Sequence, residues 1–426
     1  MLLQELAYRN RYILRNPIVG RKLSMKILFV PKEFPHGKVI GGPILVYNRI
    51  KYLSENHKIG LASFIREGDR KYLDTLEPYL GEIELMPYPK VRNRFRKAYD
   101  YFFSEVPSYM ANTRSREMRE MVARMTVRSG YDVILTEYSV MGQYLYKNYG
   151  MDSRTKRVIS CHESYTLARR QSLELYGFFS REGFDSWLNL YRLKQYEFAM
   201  YKYADLLLTL TPQEKERILK IEPDLKIEVV PHGTNTEWFS PFPESDREIS
   251  VAFLGNYPHN PNADAVMFFI REIWPDIKSR VGGIKFYVIG REPTREILSE
   301  AKRDKDIIVT GEVDDVKDHL KKAMIFVAPL RLGYGFRGKI LEAMAMGIPV
   351  VTTSLGAEGL MVRNMENIVI ADQPKQFAGA VVQLFEDRGL YTRVSKNSRT
   401  TVEEHFSYRK GAEKLGEVLE NLVSRG

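Results

Sequence analysis

Short apolar runs recur along this chain, each followed by a longer stretch in which apolar residues return every three or four positions. Ile27-Leu28-Phe29-Val30, Tyr131-Asp132-Val133-Ile134-Leu135, Arg157-Val158-Ile159-Ser160 and the run at 205–209 predict strands, mostly buried on both faces. A second series follows at 249–254, 285–289, 307–310, 325–328 and 348–352. Between these runs 44–56, 187–203 and 340–346 predict helices, and a final helix is expected from His405 to Val423. Thr211-Pro212-Gln213-Glu214 reads as a helix start, with a capping Thr, Pro in the first turn and Glu three residues on. Such strand–helix alternation predicts parallel α/β sheets, and 426 residues suffice for two of them. Pro231, Pro241 and Pro243 mark a hinge zone between the two series. The expected division is a basic extension at 1–24, one α/β domain at 25–235, a second at 236–400, and a closing segment at 401–426.

The stretch from Val327 to Leu360 is the most informative. A buried strand ends at Pro329, and a loop with Gly333, Gly335 and Gly338 follows, able to bring backbone close to a ligand. The helix after it shows Leu341, Met344 and Ala345 on one face and stops at Gly347. Its N-terminus offers free N–H groups and partial positive charge, a ready site for a phosphate. Arg337 and Lys339 add two cations there, and Glu342, one turn in, is placed to accept hydrogen bonds from a ribose.

The sequence GYGFRGKILEAMAMGIPVVTT resembles the donor-site signature of family 4 glycosyltransferases of the GT-B fold. The resemblance implies two Rossmann-like domains facing across a cleft, with a nucleotide-sugar held by the second. Glu342 takes the place of the family's ribose-binding Glu, while Tyr334 stands where the family usually has another Glu. Gly333, Gly335, Arg337 and Lys339 match the Gly-x-Gly-x-Arg-x-Lys form of the loop, which also places Phe336 at the donor. Gly41 and Gly42, after the first strand, correspond to the loop facing donor phosphates and acceptor, although a Gly-Gly pair is often only a turn. His162, closing a strand, matches a His near the donor phosphate and sugar, where it is expected to donate a hydrogen bond; a turn histidine is the plainer alternative. Gly255 and Asn256 occupy a position where many members have Gly-Arg, with a Lys six residues on; here that residue is Asn262, so Arg337 and Lys339 are expected to supply the charge. Arg291, after the strand at 285–289, and Val313, in the loop resembling the one around the base, complete the implied donor contacts. EVVPHGTNTEWFSP at 228–241 resembles the interdomain segment, and the last helix is expected to cross back onto the first domain.

The implied reaction moves a glycosyl group from a nucleotide-sugar to an acceptor hydroxyl, with retention in this family. The acceptor class it implies is a glycan or lipid-linked glycan in cell-surface polysaccharide synthesis. His162, Arg337 and Lys339 are the expected catalytic groups, and no cofactor or metal is expected. Alternatives are a nucleotide-sugar epimerase, whose N-terminal motif is replaced by Pro31-Lys32-Glu33-Phe34-Pro35, and a non-catalytic binding module, supported only by Tyr334. A metal-dependent GT-A enzyme would need Asp304-Lys305-Asp306 as ligands, but that triplet precedes a strand instead of closing one.

Charge adds a partner. The formal net charge is +10, which asks for an anionic ligand or surface. Residues 90–128 carry ten Lys or Arg against four acids, a net +6, with Tyr99, Tyr101, Phe102 and Phe103 between them. An anionic membrane surface suits that mixture, and a solvated helical face is the alternative. The prefix 1–24 is either a second such segment or an upstream start. Nucleic acid ranks last, because no zinc-type Cys/His set or nucleic-acid signature occurs. A single Cys161, no apolar run of membrane-spanning length and no signal-peptide core predict a soluble, cytoplasmic protein, peripheral on the inner membrane face where lipid acceptors are used.

Overall fold

The computed structural model describes residues 24–37, 42–89, 106–243, 247–333 and 337–425. The first half contains β1 (Lys26–Pro31), α1 (Gly42–Leu53), β2 (Lys58–Ile65), β3 (Glu82–Pro87), α2 (Arg116–Ser129), β4 (Val133–Glu137), β5 (Lys156–Cys161), α3 (Tyr165–Tyr176), α4 (Arg181–Tyr203), β6 (Leu206–Thr209), α5 (Pro212–Leu219) and β7 (Ile227–Val229). The second contains β8 (Glu248–Leu254), α6 (Asn260–Phe268), β9 (Lys285–Ile289), β10 (Ile307–Gly311), β11 (Ala323–Ala328), α7 (Gly338–Ala345), β12 (Val350–Thr352) and β13 (Val369–Ile370). Helices α8 (Pro374–Glu386), α9 (Arg388–His405) and α10 (Tyr408–Ser424) close the chain.

Two parallel sheets result, ordered β3-β2-β1-β4-β5-β6-β7 and β10-β9-β8-β11-β12-β13. This is the expected pair of Rossmann-like domains. Alternation along each central strand feeds two cores. Leu28 and Val30 join a cluster with Met118 and Val122 of α2, whereas Ile27 and Phe29 pack with Val46 and Ile50 of α1. Val251 and Phe253 divide from Ala252 and Leu254 in the same manner in the second sheet. Thr211 caps α5 by accepting from the Glu214 N–H, as its sequence predicted.

Helix α10 packs on the first sheet: Ala412, Leu415, Val418 and Leu419 belong to the cluster around Ile27 and Phe29. The expected helix from His405 is corrected at its start. Phe406 and Ser407 lie outside helix, because Ser407 caps α10 through the Lys410 N–H (3.3 Å) and the Phe406 carbonyl accepts from Thr234 N–H (2.7 Å). These two passages between the sheets run side by side, closed by Tyr408 N–H to the Thr234 carbonyl at 3.2 Å. A side chain on Gly233 would lie 2.6 Å from Tyr408 N, so close approach requires glycine there.

Candidate active site

Carboxyl ends of strands from both sheets meet at the interface between them. On the second sheet, the loop after β11 leads into α7, with residues 334–336 outside the described set. Arg337 is buried and donates to the carbonyls of Gly333 (2.6 Å) and Leu355 (3.3 Å), with no ion pair at its guanidinium among the described residues. Burial lowers its pKa, with Glu358 and Glu163 acting in the other direction. Lys339 donates to Asn262 Oδ1 and lies 4.7 Å above the Phe253 ring. Burial, then the Arg337 charge, lower its pKa to about 7. Glu342 is 5% exposed, and its Oε2 has no hydrogen-bond partner. Burial raises this carboxyl to about 7 against the opposing pull of Lys339. An unpartnered buried carboxylate oxygen is costly, and it is satisfied by a ligand that brings hydroxyl donors.

Asn262 was passed over in the sequence as a lost cation. Its amide nitrogen donates to the Asn256 carbonyl (2.7 Å), while its oxygen holds Lys339, so it fixes the ammonium in place. Asn256 Oδ1 in turn accepts from Arg291 Nε at 3.1 Å, and Arg291 is otherwise exposed. Gly255 packs against Gly290, where a Cβ would fall 1.8 Å from the Gly255 carbonyl oxygen. Val313 is half-buried against the β8–β11 core.

On the first sheet, His162 follows β5 and is buried. Its Nε2 lies 2.8 Å from Glu137 Oε2, and its ring stacks on Tyr138 with centroids 4.1 Å apart. Glu137 is itself held by Arg49 at 2.8 and 2.9 Å, and Arg49 also donates to Ser160 Oγ at 2.9 Å. Although burial pushes Glu137 up, Arg49 and His162 together hold it down at about 2. Burial lowers the His162 pKa, partly offset by Glu137. Its Nε2–H donates to the Glu137 carboxylate. In the neutral ring Nδ1 then presents a lone pair, and the donation to a ligand expected from the sequence requires the protonated ring.

Gly42 opens α1 against Tyr138, whose hydroxyl lies 1.3 Å from where a Gly42 Cβ would be. The structure accounts for this glycine by packing beside His162, and Tyr138 itself adopts φ +78°. Gly41, Gly335 and Phe336 lie outside the described residues. Glu137, Arg49 and Tyr138 escaped the sequence reading. One signal was available: Arg49 falls on the apolar stripe of Leu45, Val46 and Leu53, where a lone cation requires a buried partner.

The two halves are electrostatically in reach. Arg337 senses Glu163 and Glu214 of the first sheet, and Glu342 acts on Tyr408. The Tyr408 ring is 5.9 Å from His232, which senses His162 and Glu137. Gln171 Oε1 on α3 accepts from Gly333 N–H at 2.8 Å, and Arg217 on α5 grips Glu358 at 2.8 and 2.5 Å. Among the described residues no cluster of three or more metal-ligating side chains occurs, and no helix is long and apolar enough to cross a membrane.

The profile described as Glycosyltransferase Family 4 matches residues 45–238, and that described as Glycosyl transferases group 1 matches residues 248–387. The chain belongs to glycosyltransferase family 4. Similar family members include the lipopolysaccharide core biosynthesis mannosyltransferase LpsB of Rhizobium meliloti (strain 1021), 26% identical over 47% of this chain and 62% of that one. The UDP-Gal:alpha-D-GlcNAc-diphosphoundecaprenol alpha-1,3-galactosyltransferase of Escherichia coli is 22% identical over 52% of this chain and 62% of that one. The chain thus spans less than two thirds of the length of either relative. Among solved structures, Anabaena Alr3699/HepE in complex with UDP and glucose aligns with TM-score 0.66 at 15% identity, over 93% of this chain and all of that one. That likeness shows the shared GT-B fold.

Proposed function

We propose that this family 4 chain transfers a hexosyl group from a nucleotide-sugar to a hydroxyl of a glycan or lipid-linked glycan, with retention. The observation that carries the reading is the α7 entrance. There, the buried Arg337 and the half-buried Lys339, neither in an ion pair among the described residues, and one carboxylate with an unpartnered oxygen stand within about one and a half helical turns. A diphosphate complements Arg337, Lys339 and the N–H groups of α7, and a ribose diol complements Glu342. As the glycosidic bond breaks, negative charge grows on the diphosphate, and these cations meet it without needing a protein nucleophile. His162, held by Glu137, offers Nδ1 to a sugar hydroxyl and so orients the donor.

The finer assignments draw on the relatives. HepE was solved with UDP and glucose, and the Escherichia coli relative is named for a UDP-sugar donor and a diphosphoundecaprenol acceptor. Both support a uridine diphosphate sugar as the first donor to test. Thermal shifts should rise with one class of nucleotide-sugar, since a ligand that binds only the folded state stabilises it by mass action. Product analysis with a lipid-diphosphate saccharide should then show transfer. No shift with any donor, in a wild-type protein that melts cooperatively, would refute the reading.

A further inference from the structure

Helices α3 and α4 form a hairpin whose far end is covered with aromatic side chains. Gly177, at φ +70°, closes α3, and the Ser180 hydroxyl donates to its carbonyl at 3.0 Å to shape the turn. Phe178 and Phe179 stand at the apex, and Phe179 is 100% exposed. Phe184, Trp187 and Tyr191 recur at i, i+3 and i+7 on α4, exposed to 47%, 50% and 72%. Phe178 makes edge contacts with Phe179, Phe184 and Trp187 at centroid distances of 5.4, 5.7 and 5.1 Å. Four of these rings touch in one patch, apolar at the apex, and Tyr191 follows one turn beyond Trp187 on α4, so that Trp and Tyr make it amphipathic further back.

We infer that this hairpin tip is a docking surface for the interfacial region of an anionic phospholipid bilayer. Graded aromatic character suits that boundary, where Trp and Tyr lie at headgroup level with one end wet. Charge agrees in sign: residues 165–194 carry five Lys or Arg against three acids, the whole chain carries +10, and Lys194 is exposed three residues beyond Tyr191. A second copy of the chain fits less well. Five aromatic side chains of ~200 Å² each, at these exposures, offer on the order of 600 Å² on a convex tip, short of the ~800 Å² per partner of a stable interface.

The position relative to the cleft gives the surface a purpose. Helix α3 starts just after His162 and Glu163, holds the Gly333 loop through Gln171, and ends at the aromatic apex. Its 12 residues span ~18 Å, so docking the tip holds the cleft about that far from the headgroups. That reach suits a lipid-diphosphate acceptor with its first sugars extended from the bilayer. The purpose rests on the lipid-linked acceptor proposed above; vesicle binding does not, since it needs neither donor nor acceptor.

The test uses the full chain with vesicles of phosphatidylcholine and phosphatidylglycerol. Co-sedimentation of the Phe178→Ser/Phe179→Ser variant should fall at least roughly tenfold, from the burial these two rings lose. Phe179 touches little of the fold, so Phe179→Ser alone keeps the test open if the double variant misfolds. In a Trp238→Phe background, Trp187 emission should shift to the blue and be quenched by bromine-labelled lipid, because Trp274 is 2% exposed and insensitive. Unchanged sedimentation of both Phe variants, or an unquenched Trp187, would overturn the inference. So would a wild-type dimer that binds no vesicles and dissociates on Phe179→Ser. Donor binding, followed by thermal shift on the same samples, fails separately if the transferase reading is wrong.

Discussion

Donor binding should move protons in opposite directions on either side of neutrality. In the free protein Lys339 and Glu342 both titrate at about 7, the first lowered and the second raised by burial. A bound diphosphate requires Lys339 as the cation, and a bound ribose diol is best held by Glu342 as the anion. At about pH 8 the free Lys339 is only about one-tenth protonated, so binding takes up close to one proton there, less the small fraction Glu342 releases. The net is an uptake of about 0.8 proton. At about pH 6 the populations reverse, and binding releases about 0.8 proton, chiefly from Glu342. A nucleoside diphosphate sugar has no titration of its own near neutrality, so the count belongs to the protein. Calorimetry in two buffers of different ionisation enthalpy reads it directly. Lys339→Met should abolish the uptake at about pH 8 and Glu342→Gln the release at about pH 6, each weakening the donor about 10- to 100-fold through a lost charge-assisted bond. A binding enthalpy independent of buffer at both pH values, or an uptake unchanged in Lys339→Met, would refute the placement of diphosphate and ribose on this turn.

Stability should follow the same two groups: the raised Glu342 makes it fall as pH climbs from about 4.5 to 7, and the lowered Lys339 makes it rise again beyond 7, a minimum that melting curves locate. Arg49→Leu strands Glu137 without its cation and should cost roughly 3–5 kcal/mol by denaturant titration, with Glu137→Gln in the same chain recovering part of it. Gly290→Ala forces a Cβ into the Gly255 carbonyl at φ +127°, so it should cost about 3 kcal/mol or more and lower donor affinity as Asn256 shifts. His162→Ala should lower kcat and raise donor KM together, by about tenfold in kcat/KM, through the lost hydrogen bond that orients the sugar; kinetics within a few-fold of wild type remove His162 from the site. Transfer should persist in EDTA, because Arg337, Lys339 and the α7 N–H groups already meet the diphosphate; loss with recovery on adding Mg²⁺ would show otherwise.

Periodicity and glycine placement made the architecture legible, because doubly buried strands and their following helices carry strong local patterns. The α7 entrance was legible for the same reason: Gly338, Lys339 and Glu342 are neighbours in sequence and therefore in space. What escaped were pairings made across the sheet. Arg49 and Glu137 lie 88 residues apart and Lys339 and Asn262 lie 77 apart, and no local pattern states which partner each will meet. The place of His162 at a strand end is legible, but its pairing with Glu137 on the neighbouring strand is not. Even the glycines divide this way: Gly177 can be foreseen as a helix stop, but Gly42 owes its smallness to Tyr138, just past the end of β4 and distant in the chain.

The return of α10 has a consequence for synthesis. Leu415 and Leu419 fill the same core as Ile27 and Phe29, so a strand made early waits for a helix made much later before their core is complete. Translation must deliver the entire second sheet in the interval. That order favours a second domain able to fold while the first is unfinished, with its own pair of cores around Val251 and Ala252. It also makes a premature stop before Tyr408 harmful, since the fragment would keep the whole second sheet yet expose Ile27, Phe29 and Leu53 to proteolysis or aggregation. Quality control of such a truncation would thus be exercised at β1, far from the stop itself.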